Sequence, residues 1–329
     1  MNKIILNNGI EMPLLGLGTF LIPETELSKT IKDAYELGYR QFDTAWKYHN
    51  EHAISCALKD NGIKREDVFL TTKVTAASLY KGQYKYGKKG ILNIPNGRTI
   101  KEVIQESFDN LGTEYIDLFL IHYPYPNSDR LWRELERLYL SGRIRAIGVS
   151  NFLKPHLEAL SQITDIVPAV NQFEISPLNT QKELIKYCQN KGIAVQAMST
   201  FSHFRSIKPR EEIIKDAKLM AIGSKYNKSV VQIVLRWLLQ QNIIMIPKTW
   251  YTPHLKENID IFDFELTKEE MSVIDSLDRG VFLNYNPYGQ QQGFFRRVRN
   301  CEEFKIWNET HSTNFIADII DQIRYKLSI

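Results

Sequence analysis

Four side chains of different chemistry stand at the ends of apolar segments. In QFDTAWKYHNE, residues 41–51, a short strand over Gln41–Thr44 runs into a turn. It leaves a carboxylate, Asp43, at its end and a phenol, Tyr48, in the loop beyond. FLTTKV carries an ammonium, Lys73, near its end, and DLFLIHYP carries an imidazole, His122. In a parallel α/β barrel the C-terminal ends of all strands share one mouth, where such groups meet although they lie far apart in the chain. Together they suit the reduction of a carbonyl, in which hydride reaching carbon leaves charge on oxygen and calls for a proton donor there.

Each residue also has a plainer reading. Asp43 can cap the following turn, Tyr48 can be a surface aromatic and His122 a satisfied core histidine. Lys73 is harder to dismiss, because a lysine is rarely buried without a partner. His49 and His52 flank the motif without acidic neighbours at metal spacing and read as loop residues, so no metal site is expected.

The elements that would position these groups alternate along the chain. Residues 3–12 turn about Asn7-Asn8-Gly9 and predict a β-hairpin. Strands are expected at 14–18, 41–44, 68–74, 116–121, 144–149, 169–173, 193–198 and 243–246. Helices are expected at 23–37, 51–59, 99–110, 129–140, 155–160, 180–190, 211–226, 229–240 and 252–258. Thr99 and Glu102 form a capping-box pattern. The alternation predicts a (β/α)8 TIM barrel rather than a doubly wound sheet. The dinucleotide fingerprint of the latter fails, because Gly16-Leu17-Gly18 is followed by Leu21 where a third glycine is needed.

Two stretches fall outside the alternation. One is a long loop after strand 3, residues 75–98, rich in tyrosine and lysine, which reads as a solvated hairpin or a lid over the mouth. The other is a C-terminal extension, 281–329, ending in a helix over 314–326 with Phe315, Ile316, Ile319, Ile320 and Ile323 on one face. The expected organisation is a barrel over 1–280 and an extension over 281–329, packed on the barrel or at an interface.

Composition narrows the classes. The chain has 329 residues, 43% hydrophobic and 24% charged, ordinary for a globular protein. A net charge of +4 is too small, for this size, to argue for nucleic acid or a membrane as a partner, and neither is expected. The three cysteines are scattered, which fits a reducing, cytoplasmic setting better than a disulfide framework. The N-terminal stretch reads as no signal peptide, and no apolar run reaches transmembrane length.

Six motifs, in order, resemble the aldo-keto reductase superfamily over about residues 1–280: GYRQFDTAWKYHNE, FLTTKV, YIDLFLIHYP, GRIRAIGVSNF, PAVNQFEISP, and IPKT with a downstream KEN. The resemblance implies a barrel that binds an extended nicotinamide dinucleotide, with Asp43, Tyr48, Lys73 and His122 as the catalytic tetrad. In this reading Lys73 lowers the pKa of Tyr48 from about 10 and makes it a better acid. Asp43 keeps Lys73 charged, and His122 donates to the developing oxyanion.

By the same resemblance Ser150, Asn151 and Gln172 hold the nicotinamide carboxamide. Lys248 and Thr249 grip the adenosine 2′-phosphate, Glu257 and Asn258 contact the adenine, and Gly18, Thr19, Met198, Ser199 and His254 complete the cofactor set. Phe20, Trp46, Tyr123 and Tyr125 are the candidate substrate pocket.

The chain departs from the family at several points. His254 stands where an arginine is common and weakens the expected 2′-phosphate preference, so NADPH is expected with NADH use open. Met198 replaces an aromatic, Thr200 a proline and Phe20 a tryptophan. A small carbonyl substrate and a monomer or homodimer are expected. The competing reading is a cofactor-binding redox sensor or regulatory subunit on a reductase scaffold, and RNA binding by the Tyr/Lys loop is weaker still.

Overall fold

The computed structural model describes residues 2–75, 80–81, 94–95, 99–124, 128–201, 207–280 and 282. The expected tail helix, most of the 75–98 loop and Tyr125 lie outside the described residues. The hairpin forms as expected, Lys3–Ile5 pairing antiparallel with Glu11–Pro13. Eight parallel strands follow: β1 (Leu17–Gly18), β2 (Gln41–Asp43), β3 (Phe69–Val74), β4 (Ile116–Ile121), β5 (Ile144–Ser150), β6 (Val170–Glu174), β7 (Ala194–Met198) and β8 (Ile244–Met245). They lie side by side in sequence order. Leu15 bridges Met245 in parallel, with Gly16 N donating to Met245 O and Met245 N to Leu14 O, both at 2.8 Å. These contacts join the first edge to the last, giving the (β/α)8 architecture with an N-terminal hairpin.

The closure depends on one small residue. A Cβ on Gly18 would lie 2.7 Å from Ile246 O, closer than nonbonded atoms pack. Gly18 is therefore demanded by the approach of the β1 and β8 ends, whatever else passes over it.

Eleven helices are seen among the described residues: α1 (Glu24–Glu36), α2 (Glu51–Asp60), α3 (Ile100–Leu111), α4 (Ser128–Leu140), α5 (Lys154–Ser161), α6 (Lys182–Asn190), α7 (Ile207–Ile214), α8 (Ala217–Tyr226), α9 (Val230–Leu239), α10 (Thr252–Ile259) and α11 (Lys268–Asp275). Their apolar stripes cover the outside of the barrel, as with Leu131, Trp132, Leu135 and Leu138 of α4. The Thr99–Glu102 capping box forms at α3.

The single helix expected over 211–226 is two. Asp216 Oδ1 accepts from Lys218 N and Leu219 N, so it caps a new helix, α8, and ends the old one. Helix α11 was not expected, although Thr267 and Glu270 give it a capping box of its own. Among the described residues no helix is long and apolar enough to cross a membrane.

The two ends of the barrel differ. At the N-terminal end, buried Asp117 accepts from Arg65 at 2.6 Å, Arg145 at 2.5 Å and the Leu70 amide at 2.9 Å. That cluster ties β3, β4 and β5 together. The expected chemical groups all lie at the opposite end, the face where barrels of this kind place their chemistry.

Candidate active site

Asp43 ends β2 and Lys73 lies one residue from the end of β3, on neighbouring strands. Lys73 Nζ donates to Asp43 Oδ1 at 2.5 Å and to Thr44 O at 2.8 Å. Burial drives the Asp43 carboxyl up and the Lys73 ammonium down. Each shift is opposed by the other's charge, and the close contact keeps the two as an ion pair.

Tyr48 lies on a single 3-10 turn, Trp46–Tyr48, directly after β2. Its ring centroid is 5.1 Å from Lys73 Nζ, 4.6 Å from the Phe20 ring and 5.8 Å from the His122 ring, which it meets edge-on. The phenol oxygen makes no hydrogen bond among the described residues. Lys73 was expected to lower this phenol's pKa, and the structure overturns that. Burial raises it well above 10.0, and the Asp43 charge raises it further. Lys73 comes with its counter-ion, so the attraction its ammonium offers a phenolate is outweighed by desolvation and by the Asp43 charge.

His122 follows β4. Burial, then the charges of Lys73 and Lys47, hold its pKa well below 6.5, so the ring is neutral. Its Nδ1 is buried without a partner, which leaves Nε2 as the nitrogen available to a ligand. The Tyr123 ring stacks on it at 4.4 Å. Trp46 turns its indole N–H to Glu106 Oε2 at 2.9 Å, which anchors the rim to α3.

A brace missing from the sequence reading holds the turn. Asn50 Nδ2 donates to Thr19 O at 3.0 Å, and Asn50 Oδ1 accepts from Thr44 Oγ1 at 2.6 Å. Thr19 Oγ1 in turn donates to Asp43 O at 2.9 Å. The hydroxyl of Thr19 is thus spent on positioning Asp43. Asn50 is the penultimate residue of the motif that drew attention to Asp43 and Tyr48, but its partner Thr19 lies 31 residues away in the chain, so no local signal marked the brace.

Opposite the tetrad, Ser150 ends β5, Asn151 follows it directly and Gln172 lies on β6. Asn151 has left-handed backbone, φ 63°, as does Ser199 after β7, φ 54°. Asn151 Nδ2 donates to His122 O at 3.0 Å and to Ser150 Oγ at 3.1 Å. Asn151, Phe173, Met198 and Phe282 line a small pocket beside it. Nothing in the sequence marked Phe282, which lies past the last matched motif.

The far end of the groove is built after β8. Lys248 Nζ lies 4.6 Å from the Trp250 ring centroid, and its pKa is lowered by desolvation and by the charge of Arg210. Thr249 Oγ1 accepts from Tyr251 N at 3.1 Å and is 3.5 Å from His254 Nδ1. Glu257 and the buried Asn258 follow on α10. Neither Trp250 nor Arg210 was singled out from the sequence.

The sequence profile of the aldo/keto reductase family matches residues 14–279. The chain belongs to the aldo/keto reductase family. An uncharacterised oxidoreductase, YtbE, of Bacillus subtilis is 42% identical over 87% of this chain and 96% of its own length. Glyoxal reductase of the same organism is 39% identical over 87% and 96%. Among solved structures, a Bombyx mori aldo-keto reductase in complex with NADP superposes with a TM-score of 0.73 at 31% identity, covering 86% of this chain and 94% of that one.

The residues of this aldo/keto reductase fit a nicotinamide carboxamide. Such a group needs a donor for its carbonyl and acceptors for its NH2. Asn151 has committed its Nδ2, so its Oδ1 remains to accept. Ser150 Oγ already accepts, so its O–H remains to donate. Gln172 has committed its Nε2 to Asp43 Oδ2, at 2.9 Å, and keeps Oε1. One donor and two acceptors are left over, the set the carboxamide requires.

Proposed function

We propose that this aldo/keto reductase reduces an aldehyde or ketone to the alcohol with NADPH, Tyr48 giving the proton. The observation that carries the reading is the Tyr48 oxygen, left without a hydrogen bond among the described residues beside a buried Lys73–Asp43 pair and a neutral imidazole. Bound with its carboxamide at Ser150, Asn151 and Gln172, NADPH supplies the hydride. Burial keeps Tyr48 fully protonated at neutral pH, so the proton is in place when a carbonyl enters. As charge develops on the carbonyl oxygen, the Tyr48 O–H moves toward it. The phenolate left behind gains the attraction of the Lys73 ammonium, which a neutral phenol does not feel. With its proton on Nε2, His122 donates a second hydrogen bond to the same oxygen.

Phe20, Trp46 and Tyr123 form the walls around the carbonyl carbon, an aromatic lining for a small substrate. The relative named for glyoxal reduction directs attention to small, reactive aldehydes. Lys248, Thr249 and His254 receive the adenosine phosphate, and Glu257 and Asn258 the adenine. The barrel over 1–280 carries the chemistry, with 281–329 as an extension to it.

NADPH oxidation with glyoxal and with an aromatic aldehyde, comparing the wild-type protein and Tyr48→Phe, tests the assignment. Loss of the proton donor lowers turnover by about 10²–10⁴-fold with NADPH binding retained. Equal rates in the two proteins would remove Tyr48 as the acid.

A further inference from the structure

Gln172 is joined to a residue that none of the recognised motifs contains. On β6 and β7, Gln172 and Gln196 are register partners, so their side chains leave the same face of the sheet next to each other. Gln172 Nε2 donates to Asp43 Oδ2 at 2.9 Å and to Gln196 Oε1 at 2.7 Å. All three residues are sealed from water, at 2%, 1% and 0% exposure for Asp43, Gln172 and Gln196. With Lys73 on Asp43 Oδ1 the contacts form one chain, Lys73–Asp43–Gln172–Gln196, drawn from β3, β2, β6 and β7.

The direction of each bond is forced. A carboxylate only accepts, so the face of Gln172 toward Asp43 must be its NH2. That NH2 has a second hydrogen, and in a sealed interior it needs an acceptor. Gln196 supplies it and must therefore turn its oxygen to Gln172. The consequence is visible at the other end of Gln196, where Nε2 is buried with no partner. A flipped Gln196 would face NH2 with NH2 and leave both amides worse placed.

We propose that Gln196 is a positioning residue of the reductase site. By taking the second Nε2 hydrogen it holds the Gln172 amide at one angle, with Oε1 free to accept from the carboxamide NH2. This rests on the proposed nicotinamide site and adds to it the group that sets its alignment. Without an acceptor at 196, the Gln172 amide is held by Asp43 alone and can rotate about that bond, so the acceptor it offers is no longer fixed in direction. The hydride-bearing ring is then less well aligned over the carbonyl.

The test uses two substitutions at one position and two ligands. Gln196→Met has similar length and no comparable acceptor, while Gln196→Glu keeps an acceptor oxygen. Binding of NADPH and of 2′,5′-ADP, which lacks the nicotinamide, is measured by quenching of tryptophan fluorescence, with turnover and melting temperature alongside. The expected result is NADPH weakened about tenfold in Gln196→Met, as for one lost hydrogen bond. Binding of 2′,5′-ADP stays unchanged, and Gln196→Glu recovers most of the NADPH affinity.

Unchanged NADPH binding and turnover in Gln196→Met would overturn the proposal. So would equal weakening of both ligands, or failure of glutamate to rescue where the melting temperature is kept, because each marks a purely structural role. Wild-type protein that binds 2′,5′-ADP no more weakly than NADPH would overturn the nicotinamide reading itself, and this proposal with it.

Discussion

Lys73 Nζ lies 2.5 Å from Asp43 Oδ1, and the two side chains are 0% and 3% exposed. Breaking such a pair leaves one charge buried and alone, which costs about 3–5 kcal/mol, whereas removing both charges costs much less. Lys73→Met is therefore expected to lower the urea unfolding free energy by about that much and to abolish turnover. Asp43→Leu combined with Lys73→Met recovers part of the stability and none of the activity. If the double variant is no more stable than the single one, the pair is not the source of the loss.

Barrel closure is concentrated at Gly18. A methyl group there would meet Ile246 O at 2.7 Å, and backbone cannot give way as a flexible side chain can. Gly18→Ala is expected to destabilise the fold by about 1–3 kcal/mol, the usual range for overpacking. Amide hydrogen exchange should locate the damage: faster exchange at the Gly16 and Met245 amides, which bridge β1 and β8, with the Asp117 end unaffected.

Acid sensitivity follows from the buried imidazoles. His156 is fully enclosed on α5, its Nδ1 accepting from Leu153 N at 3.0 Å, and burial pushes its pKa from 6.5 down to about 3. His122 is shifted in the same direction. Between the folded and unfolded pKa values the unfolded chain binds the extra proton, so stability rises with pH across that window. The contribution is complete above about pH 6.5 and falls by up to about 1.4 kcal/mol per pH unit per histidine below it. Unfolding measured at pH 7 and pH 5 should show this loss. His156→Asn, which keeps an acceptor near Leu153 N, should be less stable at pH 7 and show a shallower dependence on pH.

The strands, and the meeting of Asp43, Tyr48, Lys73 and His122 at one end of the barrel, were legible in the sequence because each strand is a short apolar run and each of these groups stands at or just beyond the end of one. What was missed depends on contacts across the barrel. Gln196 lies inside AVQAM, which reads as an ordinary buried strand. Nothing local says that its amide faces Gln172. Asn50, Thr19 and Thr44 form a brace only once β1 and β2 lie side by side. The direction of the Tyr48 shift was misread because charge is visible in a sequence and burial is not. The break between α7 and α8 was legible in principle, since Asp216 is a good cap, but helical periodicity continued across it and concealed it.

The phosphate end makes a last prediction about cofactor choice. Lys248 packs over Trp250, and His254 Nδ1 is 3.5 Å from Thr249 Oγ1. A side chain at 254 therefore points toward the hydroxyl proposed to meet the 2′-phosphate. Arginine at this position would bring a permanent charge and a two-pronged donor where histidine offers a single small ring. His254→Arg is expected to tighten NADPH about tenfold, the scale of one charge-assisted hydrogen bond, and to leave NADH nearly unchanged. Lys248→Met should act in the opposite direction, weakening NADPH more than NADH. Both effects should shrink in high salt, because the groups are exposed enough to be screened. A variant that changes both cofactors by the same factor would place the 2′-phosphate elsewhere.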